Sequence, residues 1–204
     1  DLYYTTIIEK RNPFYQHCCD NLNKNALFGL NDNADNYEYE NINKKPKYIN
    51  SIFGLLMKSF CPTFEWYLEF TNKCINTFKT KSKINSYKIY FSRDSIKEYF
   101  GTNEMWMTGE YPNNMPTLLS DMTFIVKSTI IELLKNFDET KKNAFANNIK
   151  EMIYKKSNNI IGLSIIANIG LTFFKELPGY CLELISSLEI VIADLHRYAI
   201  TIDN

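Results

Sequence analysis

The residues best suited to chemistry fall into three small groups. His17, Cys18, Cys19 and Asp20 follow one another, His196 stands beside Arg197 and near Asp194, and Glu176, Glu183, Glu189 and Asp194 recur toward the C-terminus. The first group offers metal ligands, but a structural zinc site needs a second ligand pair at close spacing, and Cys61 and Cys74 lie too far apart to form one. A Cys-His or Ser-His site would have to use one of two histidines, and neither has a suggestive context. The seven glycines are scattered, with no phosphate-cradling loop. The acidic residues read as a charged helix face, not as a carboxylate pair across a cleft. The expectation is a protein with no catalytic, cofactor-binding or metal-binding residue, and not an enzyme.

Residues suited to contact are easier to find. Met105, Trp106 and Met107, with Tyr111 close behind, sit in the segment 102–115, which reads as a loop. Such a cluster is either tucked into the core or exposed as an interface anchor, and aromatics are the usual anchors. A polar, Asn-rich arm at 31–48 is a second candidate surface. Asn12-Pro13-Phe14-Tyr15 matches the Asn-Pro-x-Tyr turn pattern, where Pro13 fixes its own φ and pushes Asn12 out of the helical region. Ser164, Asn168 and Thr172, spaced by four, draw a polar stripe along the uncharged stretch "SNNIIGLSIIANIGLTFF" at 157–174.

That stretch predicts a central hydrophobic helix over 158–174. It is slightly short of the roughly twenty apolar residues a bilayer span requires, and a central Asn there needs a partner. The expected arrangement is a helix wrapped by companion helices of the same chain, with Gly162 and Gly170 allowing close approach and Asn168 hydrogen-bonded to a neighbour. Apolar stripes at 52, 55, 56 and 60, and at 64, 67, 68, 71, 74, 75 and 78, predict two helices separated at Pro62. A third follows over "PTLLSDMTFIVKSTIIELLKNF", with Ser120, Asp121, Lys127, Glu132 and Lys135 on its polar face. A fourth opens at Asp138-Glu139 and ends in lysines, as the helix dipole favours. The last, 181–202, places Cys181, Ile185, Leu188, Ile192, Leu195, Ala199 and Ile202 in alternating steps of four and three, a helix-packing seam. Strand-like segments are expected near 2–8 and 86–92, and a short helix over "RDSIKEYF", capped by Ser92 and stopped by Gly101. The fold class is therefore all-α, with an irregular N-terminal extension at 1–48 and a helical domain at 49–204.

At 204 residues, 45% apolar and 15% aromatic, the chain buries a real core. Its zero formal net charge argues against a nucleic-acid partner. Five cysteines, an odd number, leave at least one unpaired or bonded to another chain. No targeting segment is visible, and the compartment is left open.

Asn, Ile, Lys and Tyr are heavily used, and Arg11, Arg93 and Arg197 are the arginines. This texture, over the whole chain, resembles that of secreted or rhoptry-complex proteins of malaria parasites. The resemblance implies a secreted protein at the parasite–host interface, contributing to virulence through a host or same-pathogen protein partner. Separately, "IIELLKNFDETKKNAFANNIKEMIYKKSNNIIGLSIIANIGLTFF" is similar to the final helices of poxvirus Bcl-2-like proteins, over about 118–202. The similarity lies in a lysine-rich helix, a hydrophobic helix opening Ile160-Ile161-Gly162-Leu163, and an amphipathic helix after it. It implies a groove that binds a partner helix and modulates host cell death or signalling from the host cytoplasm, although no Asn-Trp-Gly-Arg-like groove motif occurs. What these readings share is a helical protein whose work is protein–protein contact. The rival is a membrane-active or pore-associated protein using 157–202 as a hairpin, in which the polar stripe faces water.

Overall fold

A computed structural model describes residues 18, 20, 22, 25–28, 30, 47–92, 95–109 and 115–202, with the side chains of 47–51 and 196–202 excepted. The predicted strand at 2–8, Asn12–Tyr15, His17, Cys19, Tyr111 and most of the 31–48 arm lie outside the described residues. What is described is mainly helical, as the sequence predicts, and carries one two-stranded antiparallel sheet.

The first two helices, α1 (Lys47–Lys58) and α2 (Phe60–Lys81), are separated at Ser59 rather than at Pro62. Pro62 falls in the first turn of α2, where a missing N–H removes no helical bond, so the proline begins a helix instead of ending one. The predicted stripe of α2 is its buried face: Phe64, Tyr67, Leu68, Thr71, Cys74 and Ile75 point inward, while Glu69, Lys73 and Asn76 are exposed. The Tyr67 hydroxyl donates to Thr123 Oγ1 at 2.9 Å, and that hydroxyl donates to the Leu119 carbonyl at 2.7 Å, joining α2 to α4 (Thr117–Asn136) through the core.

Strands β1 (Asn85–Ser92) and β2 (Ser95–Gly101) pair with Tyr87 opposite Tyr99 and Ile89 opposite Lys97. The helix expected over "RDSIKEYF" is therefore a strand. Its apolar residues at 96, 99 and 100 imitate helical spacing, but Tyr99 and Gly101 alternate inward against exposed Ile96 and Glu98, and β1 supplies the hydrogen-bonding partner. The segment 102–115 also carries structure: α3 (Asn103–Trp106) is capped by Thr102, whose hydroxyl accepts from the Met105 amide.

Helix α5 (Glu139–Lys156) starts where its charges predict, with the Asp138 carboxylate accepting from the Lys141 amide at 2.9 Å. It leads through a polar turn into α6 (Ile160–Thr172), the predicted central helix, trimmed at both ends. Residues 160–166, 169 and 170 are buried, and α6 packs on α3, α4, α5 and β2. Gly162 is needed for this closeness, because a Cβ there would lie 2.6 Å from Ser157 Oγ.

The α5–α6 turn is held by amides. Asn159, fully buried, accepts the Ile161 and Gly162 amides through Oδ1 at 3.1 and 3.3 Å, capping α6. Its Nδ2 donates to Asn72 Oδ1 at 2.7 Å and to Thr71 Oγ1 at 3.3 Å, both on α2. Asn72 in turn donates to the Lys156 carbonyl and accepts the Asn158 amide. The Phe100 amide, on β2, donates to the Asn158 carbonyl. The N-terminus of the central helix is thus fixed to α2 and to the sheet at once.

A one-turn helix, α7 (Leu182–Ile185), and then α8 (Leu188–Ile202) follow, with α8 against α3, α7 and β1. Among the described residues, no helix is long and apolar enough to cross a membrane. Residues ahead of α1 join the core as well: Cys18 and Leu30 are buried, and Phe28 stacks on Phe78 at 4.5 Å.

Candidate interaction surface

The helix predicted over 181–202 breaks into α7 and α8 at Ser186 and Ser187. Ser187 acts as the stop and restart: its amide donates to the Leu184 carbonyl, its carbonyl accepts the Val191 amide, and its hydroxyl donates to Glu189. The break leaves the apolar seam facing away from the body. Ile185, Leu188, Ile192 and Leu195 are all more than half exposed, from 51% at Ile192 to 69% at Leu188. The inner face consists instead of Leu184, Ser187, Ile190 and Ala193, all buried. The seam was legible as a packing face, but among the described residues Cys181 packs against α6 while Ile185, Leu188, Ile192 and Leu195 stay mostly open. The Ala199 and Ile202 side chains lie outside the described residues.

Leu171 and Phe174, at and just past the end of α6, and Leu182 on α7 are exposed to a similar degree. Leu171, Ile185 and Leu195 share the rim of one pocket of roughly 280 Å³, walled by Trp106, Ala167, Leu184 and Ile190. The seven exposed side chains leave on the order of 800 Å² open, at about 200 Å² for a whole residue of this size. Summed over the seven residues, that is comparable to one partner's share of a standard interface, about 800 Å².

The floor and wall of the pocket are held by polar contacts. Trp106 Nε1 donates to Asp194 Oδ1 at 3.1 Å, fixing the indole beneath α8. Gly170 lets the chain fold back onto α6, since a Cβ there would lie 2.7 Å from Cys181 Sγ. Lys150 Nζ donates to the Tyr180 carbonyl at 3.1 Å, pairs with Glu183 at 3.2 Å, and lies 5.0 Å from the Tyr180 ring centroid. The Tyr180 hydroxyl donates to the Ala146 carbonyl at 2.6 Å. Burial, then Glu183, pushes that phenol well above its ordinary pKa, and burial also raises the Cys181 thiol. A thiol raised in this way stays protonated near neutral pH and is a poor nucleophile.

The polar stripe on α6 divides between two environments. Ser164 is buried and donates back to the Ile161 carbonyl of its own helix at 2.8 Å. Asn168 and Thr172 instead line a cleft of roughly 520 Å³ beside α4, with Gly109, Phe124, Lys127, Ser128, Ile131, Glu132 and Lys135. The expected burial of Asn168 against a neighbouring helix is thus corrected: the amide is half-buried and lies at an open cleft. Lys127 is a second correction, because it is buried, not on a solvated face, and donates to the Thr108 carbonyl at 3.0 Å. Its long stem covers apolar surface while the ammonium reaches a backbone oxygen.

Met105, Trp106 and Met107 are 1%, 2% and 5% exposed. They are core residues, so an exposed Met-Trp-Met anchor is corrected. The α3 turn and the Trp106–Asp194 bond turn them inward, and Trp106 reaches the surface only as a pocket wall. Leu171, Phe174 and Leu182 were missed as contact residues. For Leu182 the signal was present: "LELISSLEIVIADL" is apolar on more than one helical face, and a helix of that kind needs contacts on two sides. Among the described residues, no group of three or more His, Cys, Asp or Glu is placed to hold a metal ion. No protein-family model matches this chain, and no curated protein matches it.

Proposed function

We propose that this is a non-enzymatic helical protein whose function is protein–protein contact, made through the apolar surface of α7, α8 and the end of α6. The observation that carries the reading is the exposed seam Ile185, Leu188, Ile192 and Leu195, two members of which, Ile185 and Leu195, line a preformed pocket. Alternating steps of three and four are what a partner helix requires for knobs-into-holes packing. Leaving such a surface in water is unfavourable by about 25 cal/mol for each Å², so its retention is explained by a partner that covers it. The hairpin reading is supported less well, since opening 157–202 would uncover the fully enclosed first turns of α6.

A photo-crosslinking amino acid placed at Ile192 in cells of the native source tests the proposal. A discrete protein adduct is expected there, and none from the same group at Glu69, an exposed site on α2. No adduct at 192, or equal adducts at both sites, would refute it.

A further inference from the structure

We infer that the occupant of this surface is a second copy of the chain, seated α8 against α8 across a two-fold axis. The inference rests on the contact reading above and goes on to name the partner.

Three observations favour self-association. A two-fold interface uses the same patch on both subunits, so the patch must complement itself. A surface whose centre carried charge of one sign would repel its own image; the seven apolar residues carry none, and of the carboxylates beside them Glu183 pairs with Lys150 and Asp194 accepts from Trp106, leaving Glu176 and Glu189 exposed beside them. Second, the patch holds both halves of a fit: a concave apolar pocket walled by Trp106, Ala167 and Leu184, and projecting side chains at Phe174, Leu188 and Ile192. Third, the open area, on the order of 800 Å² per subunit, is what a stable pair buries on each side. The repeat at 188, 192 and 195 gives the crossing geometry, since steps of four and three keep two helices in register at a shallow angle.

The test uses the full chain under reducing conditions, so that none of its five cysteines can link two copies. Light scattering coupled to size-exclusion chromatography, from ~1 to ~200 µM, should report twice the chain mass, with dissociation toward the low end. Ile192→Glu and Leu188→Glu should each weaken the pair by roughly 100-fold or more, because an isologous contact loses both copies of the residue. Their far-UV circular dichroism and melting temperature at dilute, monomeric concentration should match the parent. Phe53→Glu, at an exposed apolar site on α1, should leave the pair intact. A parent chain that stays monomeric at ~200 µM overturns the inference, as does a folded Ile192→Glu variant that still pairs. A monomer that floats with zwitterionic or anionic liposomes through the same residues also overturns it. If the pair fails to form but the residue-192 crosslink captures a different protein, self-association falls and the contact reading stands. If neither occurs, both fall.

Discussion

Replacing Asn159 by Ala tests whether the central helix is positioned by its buried N-cap. The substitution removes Oδ1 from the Ile161 and Gly162 amides, which lie at 3.1 and 3.3 Å in a site closed to water. Loss of a capping side chain costs about 1 kcal/mol and up to ~2 when no water replaces it. The donor bonds to Asn72 and Thr71 are also lost. Their partners keep other bonds, Asn72 Oδ1 to the Asn158 amide and Thr71 to the Leu68 carbonyl, so this part contributes only about 1 kcal/mol. The sum is a destabilisation of roughly 2–3 kcal/mol, or a fall in melting temperature of about 5–10 °C for a chain of this size. Urea unfolding monitored at Trp66 and Trp106 should show the shift in midpoint with an unchanged slope. Asn76→Ala removes only an exposed acceptor of the Asn158 side chain and should stay within about 0.5 kcal/mol of the parent. A loss below about 1 kcal/mol for Asn159→Ala, or equal losses at 76 and 159, would refute the claim that this amide fixes α6.

Three further outcomes are expected. Gly170→Ala adds a Cβ 2.7 Å from Cys181 Sγ, and this crowding should outweigh the gain in helix propensity. A net loss of about 1 kcal/mol is expected, together with faster mapped alkylation of Cys181 as its segment is pushed outward. Tyr99→Phe should cost nothing and gain up to about 1 kcal/mol in chemical unfolding, because the buried Tyr99 hydroxyl has no hydrogen-bond partner among the described residues. A clear loss would show that the hydroxyl is bonded. The Cys74 thiol is pushed up to about 12 by burial from an ordinary value of 9.0, so the unfolded chain ionises first. Its contribution to stability is complete below pH 9 and declines as pH rises toward 12. Cys74→Ala should therefore be less stable at neutral pH yet show a shallower alkaline loss, and a parallel pH profile would contradict the assignment.

The elements that were legible in advance are those with one strong local signal: the stripe of α2, the Asp138 start of α5, the alternation of β1 and the apolar run of α6. Failures arose where the deciding partner lies outside the segment itself. Ser95–Gly101 carries apolar spacing compatible with a helix, and only its pairing with β1 makes it a strand. Lys127 looks like a solvated residue until Thr108 is seen to offer it a carbonyl. The C-terminal seam is the instructive case: spacing shows that a helix has an apolar face, but not which way that face is turned. Trp106 and Asp194 decide this for α8 by tying its other side to the body, and neither residue belongs to the seam. The contact surface was therefore visible as a pattern and hidden as a location.

Lys150 has a consequence beyond its local bonds. One ammonium group serves a backbone oxygen, a carboxylate and an aromatic face, all on the stretch 180–183, while the lysine itself belongs to α5. Any chemistry that removes its positive charge, such as acylation of the amine, would release these three attachments together. The segment beside the apolar pocket would then loosen from the helical body although no residue of the contact face had changed. The fold thus offers a handle on its outer surface that is operated from behind.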